Sequence, residues 1–178
     1  GNIAAGVLAA RMGMPSAGFH AAVNANDVMA QYMQSGAYEA RESVATLSNA
    51  MDVGDPSNRP RLEWLHDQDV ARMQREFEVS TATDEATLRA MRSMWLNHEM
   101  LVCPHTAIGF EAAKRSAFTG SQVVLATAHP AKFGETVERA TGVAPEIPPQ
   151  LQGCLDLPKE STVLPADYEA FRAYLLEA

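Results

Sequence analysis

Apolar positions along the chain recur at helical spacing in some stretches and form short continuous runs in others, which predicts an α/β fold. Helices are predicted over residues 3–12, 26–33, 60–65, 69–77, 83–95, 104–115, 130–141 and 167–177. Strands are predicted over residues 17–23, 77–79 and 122–126. The run Gln-Val-Val-Leu-Ala at 122–126 is the clearest buried strand in the chain. We expect a mainly parallel sheet with helices on both faces.

Two segments lack this periodicity. Residues 38–59 are rich in Ser, Asn, Asp, Gly and Pro, which predicts a long loop that reaches toward a cleft. Residues 145–158 hold four of the ten prolines and form a Pro-rich connector. The last helix is expected to close the domain with an apolar face made of Tyr168, Phe171, Tyr174 and Leu175. We therefore expect residues 1–178 to form one domain, in which 145–178 is the connector and closing helix.

Composition narrows the function classes. The 178 residues suit one ordinary globular domain, with 47% hydrophobic and 20% charged residues. A formal net charge of −8 argues against nucleic acid or an anionic membrane as the main partner, and the apolar runs are too short to span a bilayer. The two cysteines, Cys103 and Cys154, make no disulfide scaffold and lack metal-ligand spacing, so we expect them to be reduced and the protein to be cytoplasmic.

The chain opens on Gly1-Asn2, a glycine turn that leads directly into a predicted helix. Such a turn is suited to phosphate, because free backbone N–H groups and the helix dipole both point at the anion. The pair is also compatible with an ordinary helix start, and residue identity at these two positions does not decide between the readings.

The loop at 46–61 gathers hydroxyl, amide and guanidinium groups just ahead of a helix. Arginine can bind a phosphate or carboxylate through two parallel hydrogen bonds, so the segment suits recognition of an anionic substrate. The alternative is a solvated loop with Asx turns and a helix cap.

The third candidate, Ala-Thr-Ala-His-Pro-Ala-Lys-Phe at 126–133, follows the 122–126 run and opens a helix. Ligands of open α/β sheets bind beyond the carboxyl ends of the strands, where Thr127 would lie. His129 could carry a proton and Lys132 could contact an anion, or Thr127 could be a cap and Lys132 a solvated charge. His105, which begins another predicted helix, is expected to be a structural hydrogen-bonding residue.

Taken together, these segments resemble the threonine synthase family. The resemblance rests on Thr-Leu-Ser-Asn-Ala-Met-Asp-Val-Gly at 46–54, Pro-Ser-Asn at 56–58, Pro-His-Thr-Ala at 104–107 and Thr-Ala-His-Pro-Ala-Lys-Phe at 127–133, in this order. Gly1-Asn2 is similar to the last two residues of the family's Ser-Gly-Asn-Phe-Gly-Asn loop. The segment 21–27 and the closing Leu-Pro-Ala-Asp at 164–167 also fit, so the resemblance covers the whole chain.

The resemblance implies a pyridoxal 5'-phosphate (PLP) enzyme with the tryptophan synthase β-like fold, of which this chain would be the C-terminal part. It implies conversion of O-phospho-L-homoserine and water to L-threonine and phosphate. Gly1 and Asn2 would belong to the loop around the PLP phosphate, and Thr127 would hydrogen-bond the pyridine nitrogen. Ser48, Asn49 and Arg59 would lie on the substrate side.

One expected residue is missing from the sequence. PLP enzymes hold the cofactor through a Schiff-base lysine, which in this family lies upstream of the Ser-Gly-Asn-Phe-Gly-Asn loop. The lysines here are Lys114, Lys132 and Lys159, and none matches that position. The resemblance therefore implies a fragment of the enzyme that is inactive by itself and does not retain PLP.

Two other functions remain open at this point. The chain could be a stand-alone, non-catalytic binding module with the same fold, or part of another PLP-dependent lyase of the family. If it is a fragment, an exposed sheet edge and apolar face would favour self-association.

Overall fold

A computed structural model describes residues 1–177, and within that range nine α-helices accompany a parallel sheet of two strands. The strands are β1 (Phe19–Val23) and β2 (Phe77–Thr81). The helices are α1 (Asn2–Arg11), α2 (Val28–Ser35), α3 (Arg59–Leu65), α4 (Val70–Glu76), α5 (Asp84–His98), α6 (Pro104–Arg115), α7 (Gly134–Thr141), α8 (Pro149–Leu155) and α9 (Tyr168–Glu177). Two 3-10 turns lie at Asn49–Met51 and Pro130–Phe133. The chain divides into two compact units, Gly1–Glu146 and a second from Ile147 onward.

Helix ends follow local chemistry. The hydroxyl of Thr83 accepts a hydrogen bond from the Ala86 N–H at 3.2 Å and caps α5. Asp69 accepts from the Arg72 N–H at 3.1 Å and caps α4 in the same way. Helix α2 ends at Gly36, whose φ of 75° is the left-handed conformation that glycine adopts without strain.

The sheet places β1 and β2 side by side in parallel, with Phe19 opposite Phe77 and Val23 opposite Thr81. Successive residues of β1 face opposite sides of the sheet. Ala21 packs into an apolar cluster formed with α1 to α4, and Ala22 packs into a second cluster with Ile108 of α6. Helices therefore cover both faces, which confirms the predicted α/β class with a parallel sheet.

Three apolar clusters make up the core of the first unit. The cluster beside α1 to α4 is made of Ala4, Tyr32, Met33, Leu62, Met73 and Phe77. The cluster between α5, α6 and α7 is made of Ala90, Met91, Met94, Val102, Ala107, Val137 and Ala140. The third, made of Ala82, Ala86 and Ile108, lies beneath the sheet and also contacts Met51 of the long loop.

The strand predicted at 122–126 is wrong. These residues carry no strand pairing, and the side chains of Val123 and Leu125 are 86% and 60% exposed. Val124 instead packs on α6, where a Cβ built on Gly109 would lie 2.7 Å from its Cγ1. A β-branched run becomes a strand only beside another strand, and β1 and β2 pair with each other.

Two predictions for the second unit also differ from the structure. The Pro-rich connector contains a helix, α8, which begins at Pro149; proline is accepted at a first helical position because it needs no N–H partner there. The side chains expected to face the core from α9 are exposed, with Tyr168 at 72% and Leu175 at 58%. None of the helices described is both long and apolar enough to cross a bilayer.

Candidate functional site

The carboxyl ends of β1 and β2 lie side by side and form the floor of the candidate site, since Val23 pairs with Thr81. The chain continues from β1 into Asn24 and from β2 toward Asp84, the first residue of α5. The long loop reaches this edge, where the Leu47 N–H donates to Asp84 Oδ1 at 3.1 Å. This is the edge at which ligands of parallel α/β sheets bind.

Asp52 organises the loop at this edge. Its Oδ1 accepts hydrogen bonds from Asn24 Nδ2 at 2.8 Å and Asn26 Nδ2 at 3.0 Å. It also accepts from the Thr46 hydroxyl at 2.7 Å, and Oδ2 accepts from the Thr46 N–H at 2.8 Å. One carboxylate thus joins the end of β1 to both sides of the loop.

Asn24 and Asn26 are buried, at 1% and 8% exposed, and their amides are satisfied within the site. Asn24 Oδ1 accepts from the Asn26 N–H at 2.9 Å. Asn26 pairs with the backbone of Val44, donating to its carbonyl at 2.8 Å and accepting from its N–H at 2.7 Å. The sequence prediction missed Asn24, Asn26 and Asp52 as site-forming residues, although two asparagines directly after a strand were a usable signal.

The predicted substrate residues Ser48 and Asn49 have different environments. Ser48 is 1% exposed, and its hydroxyl accepts from Asn24 Nδ2 at 3.0 Å and lies 3.2 Å from the Thr46 hydroxyl. Asn49 begins the 3-10 turn and its side chain is exposed. Ser48 therefore holds the loop, whereas Asn49 is available to a ligand.

His105, in the first turn of α6, contacts two of the predicted segments. Its Nε2 accepts a hydrogen bond from the Ala50 N–H at 3.1 Å, and its ring packs against Phe133 with 4.8 Å between ring centroids. Burial lowers the pKa of His105, and this effect is partly opposed by the charge of Asp52 and the carbonyl of Ser48. The structure thus joins the 46–54 loop to the 127–133 segment through this imidazole.

Arg59, the third predicted substrate residue, begins α3 and is already engaged. Its Nη1 donates to Glu63 Oε1 at 2.6 Å, and its guanidinium lies 4.0 Å from the centroid of the Tyr38 ring. The hydrogen bond to Glu63 raises the pKa of Arg59. Among residues 1–177, its buried Nε has no hydrogen-bond partner, which leaves one donor of the guanidinium unsatisfied.

Gly1 and Asn2 lie at the start of α1, as predicted. Gly1 precedes the helix without a side-chain cap, and the first turn carries no acidic residue. A Cβ built on Gly1 would lie 3.8 Å from Asn58 Nδ2. The leading end of α1 is therefore an electropositive position beside the end of the long loop.

Thr127 is exposed, and its hydroxyl makes none of the hydrogen bonds found in the described part of the chain. The two surface cavities described, of about 410 and 110 Å³, are lined by other residues than Gly1, Asn2 and Thr127. A pocket shared by Thr127 and the start of α1 accordingly stays a prediction.

The residues present are compatible with PLP, the cofactor that the resemblance implies. The first turn of α1 has uncapped N–H groups that suit a phosphate, and Thr127 has a free hydroxyl that suits a ring nitrogen. Neither the leading N–H groups of α1 nor the Thr127 hydroxyl has another described hydrogen-bond partner. Over residues 1–177, no cluster of three His, Cys, Asp or Glu side chains could hold a metal ion.

Comparisons with known proteins agree with the sequence pattern. A family model described as the C-terminal region of threonine synthase matches residues 106–175. The threonine synthase of Haemophilus influenzae is 39% identical over all of this chain and 42% of its own length. That of Escherichia coli is 36% identical over 99% of this chain and 41% of its own length. The chain thus spans about two fifths of the length of these relatives.

Solved structures give the same result for the fold. The crystal structure of Escherichia coli threonine synthase superimposes with a TM-score of 0.85 at 36% identity, over 99% of this chain and 41% of that one. The PLP-bound threonine synthase of Brucella melitensis gives a TM-score of 0.82 at 32% identity, over 99% and 43%. The fold is that of the PLP-dependent threonine synthases, and the chain is similar to the C-terminal part of these enzymes.

Proposed function

We propose that this chain acts as part of a threonine synthase, which converts O-phospho-L-homoserine and water to L-threonine and phosphate with PLP. The supporting observation is the 32% identity and 0.82 TM-score to a PLP-bound threonine synthase over 99% of the chain. The uncapped start of α1 and the free Thr127 hydroxyl fit that cofactor.

Gly1 and Asn2 bind the cofactor phosphate through the leading N–H groups of α1. Thr127 donates its hydroxyl to the pyridine nitrogen and keeps that nitrogen unprotonated. The chemistry that PLP supplies when bound is withdrawal of electrons from the substrate carbons during elimination and replacement. The chain's own contribution is to position the cofactor and to line the substrate side.

On the substrate side, the exposed Asn49 contacts the substrate and the buried Ser48 fixes its position. Arg59 attracts the substrate phosphate from the start of α3, and its contacts with Glu63 and Tyr38 restrict the conformations of the guanidinium. Restricting these groups before binding reduces the entropy lost when substrate arrives.

The 178-residue chain alone is inactive on this proposal, since none of its lysines is the one that holds PLP. Lys114 lies in the last turn of α6, Lys132 in the 3-10 turn Pro130–Phe133, and Lys159 in the second unit. Self-association is proposed through exposed apolar side chains such as Val123 and Leu125.

The experiment compares the isolated chain with a chimera in which it replaces the matched 42% of the Haemophilus influenzae enzyme. We expect the isolated chain to show no dialysis-resistant PLP absorbance band and no phosphate release from O-phosphohomoserine. The chimera should release phosphate and form threonine. A chimera that binds PLP but processes a different amino acid, with no threonine formed, would overturn the proposal in favour of another lyase.

A further inference from the structure

His105 joins two segments that the sequence could only predict separately. The loop that carries Ser48 and Asn49 contacts it through the Ala50 N–H, 3.1 Å from Nε2. The segment that follows Thr127 contacts it through Phe133, whose ring lies 4.8 Å away at an angle of 57°. An imidazole between the substrate side and the cofactor side can set the distance between them.

The direction of the hydrogen bond fixes the state of the ring. A backbone N–H can only donate, so Nε2 must present its lone pair and the ring proton must lie on Nδ1. That nitrogen is buried and has no hydrogen-bond partner in the described part of the chain. His105 therefore holds the loop as a neutral imidazole in one tautomer.

Among the described residues, the bond from the Ala50 N–H to His105 Nε2 is the only hydrogen bond between the Asn49–Met51 turn and a side chain of α6. The Asp52 network holds the loop to the end of β1 on one side, through Asn24 and Asn26. The Leu47 N–H bonds Asp84 of α5 on another side. Neither contact extends to the 127–133 segment, which Phe133 joins to the loop through His105.

We propose that His105 is a positioning residue, whose Nε2 holds the Asn49–Met51 turn in register with the 127–133 segment so that substrate and cofactor meet in one geometry. The inference rests on the proposed function for its catalytic consequence, whereas the contact itself does not. Loss of the acceptor should let the turn open, raising KM for O-phosphohomoserine more than it lowers kcat.

Two amide variants isolate the acceptor. His105→Gln places its carbonyl oxygen near the position of Nε2 and can still accept from Ala50, whereas the shorter His105→Asn cannot reach it. Both keep a polar, uncharged side chain, so a fault common to any change at this position would affect them equally. His98→Asn is the control, since this histidine is exposed at the end of α5.

Hydrogen exchange of the peptide that covers residues 46–53 is measured in the 178-residue chain, and steady-state kinetics in the chimera described above. We expect His105→Asn to speed exchange of the Ala50 region about tenfold, with His105→Gln within about twofold of wild type. KM should rise by about tenfold in His105→Asn and be largely restored in His105→Gln.

Equal exchange in the Gln and Asn variants would overturn the proposal whatever the kinetics show. Faster exchange in His105→Asn with unchanged KM would overturn the positioning role and leave threonine synthase activity standing. A wild-type chimera without threonine formation would remove the proposed function, and the exchange difference would still decide whether His105 holds the turn. Nitrogen NMR should show the ring proton on Nδ1, and a proton on Nε2 would contradict the inference.

Discussion

Replacing Asp52 by asparagine tests how strongly one carboxylate organises the loop. In the structure, Oδ1 accepts three hydrogen bonds and Oδ2 accepts the Thr46 N–H. An asparagine keeps one side-chain oxygen, and its lower-energy orientation points that oxygen at the three donors. Its NH₂ group then faces the Thr46 N–H, so a donor meets a donor.

The magnitude follows from these four contacts. Leaving the Thr46 N–H without an acceptor lowers the stability by about 1–3 kcal/mol. The other three bonds lose their charge, which about halves the strength of each. The total loss of stability stays moderate, because the side chains of Asn24 and Asn26 keep other hydrogen-bond acceptors and Asp52 is only half-buried. We expect Asp52→Asn to lower the free energy of unfolding by about 3 kcal/mol.

Thermal unfolding followed by circular dichroism measures this change. A loss of about 3 kcal/mol should lower the Tm of a domain of this size by about 9 °C. The control is Asp156→Asn, because Asp156 is exposed and its side chain bonds only Gln152, at 3.2 and 3.4 Å, among the described residues. If the two variants melt within about 1 °C of each other, the Asp52 carboxylate does not hold the loop.

Three further predictions concern backbone contact, pH and association. Gly54→Ala should lower the free energy of unfolding in urea by more than about 2 kcal/mol, because a Cβ at this position would lie 1.9 Å from the Arg41 carbonyl oxygen. The control Gly134→Ala should be nearly neutral, since a Cβ there would have no atom within 4 Å. Burial lowers the pKa of His20 and of His105, so below about pH 6.5 the unfolded chain binds more protons and stability is lost as pH falls through the folded pKa values. The urea concentration at the unfolding midpoint should therefore drop between about pH 7 and pH 5.5. A double variant, His20→Gln with His105→Gln, whose midpoint drops as much as that of the wild type would contradict this. Light scattering should show the isolated chain to be self-associated, and a monodisperse monomer would contradict the proposed apolar contact.

All of the described helices except α8 were predictable, because their signals are local. Thr83 before acidic residues, Gly36 after an apolar run and Pro104 at a first turn each specify a helix end within a few positions. Helix α6 begins and ends where the sequence predicts. The strand prediction at 122–126 was wrong for the opposite reason. Strand formation depends on a neighbouring strand, and the sequence of the run does not show whether such a strand lies beside it.

The site was predictable in its parts and not in its connections. The 46–54 and 127–133 segments were singled out from their residues, and the start of α1 from its glycine turn. The hydrogen bonds that organise them join residues far apart in sequence, such as Asn24 with Asp52 and Ala50 with His105. No local pattern specifies such a pair, so the sequence predicted His105 as a hydrogen-bonding residue without identifying its partner, and it did not predict the roles of Asn24 and Asp52.

The pairing of β1 with β2 has a kinetic consequence. Phe19 lies opposite Phe77, so two partners separated by 58 positions in the sequence, counted as 77 minus 19, must find each other. Contacts of such high sequence separation form late, after local helices. Asn24 reaches Asp52 only once β1 is in place, so on refolding the helical circular dichroism signal should recover before the 46–53 loop gains protection from hydrogen exchange.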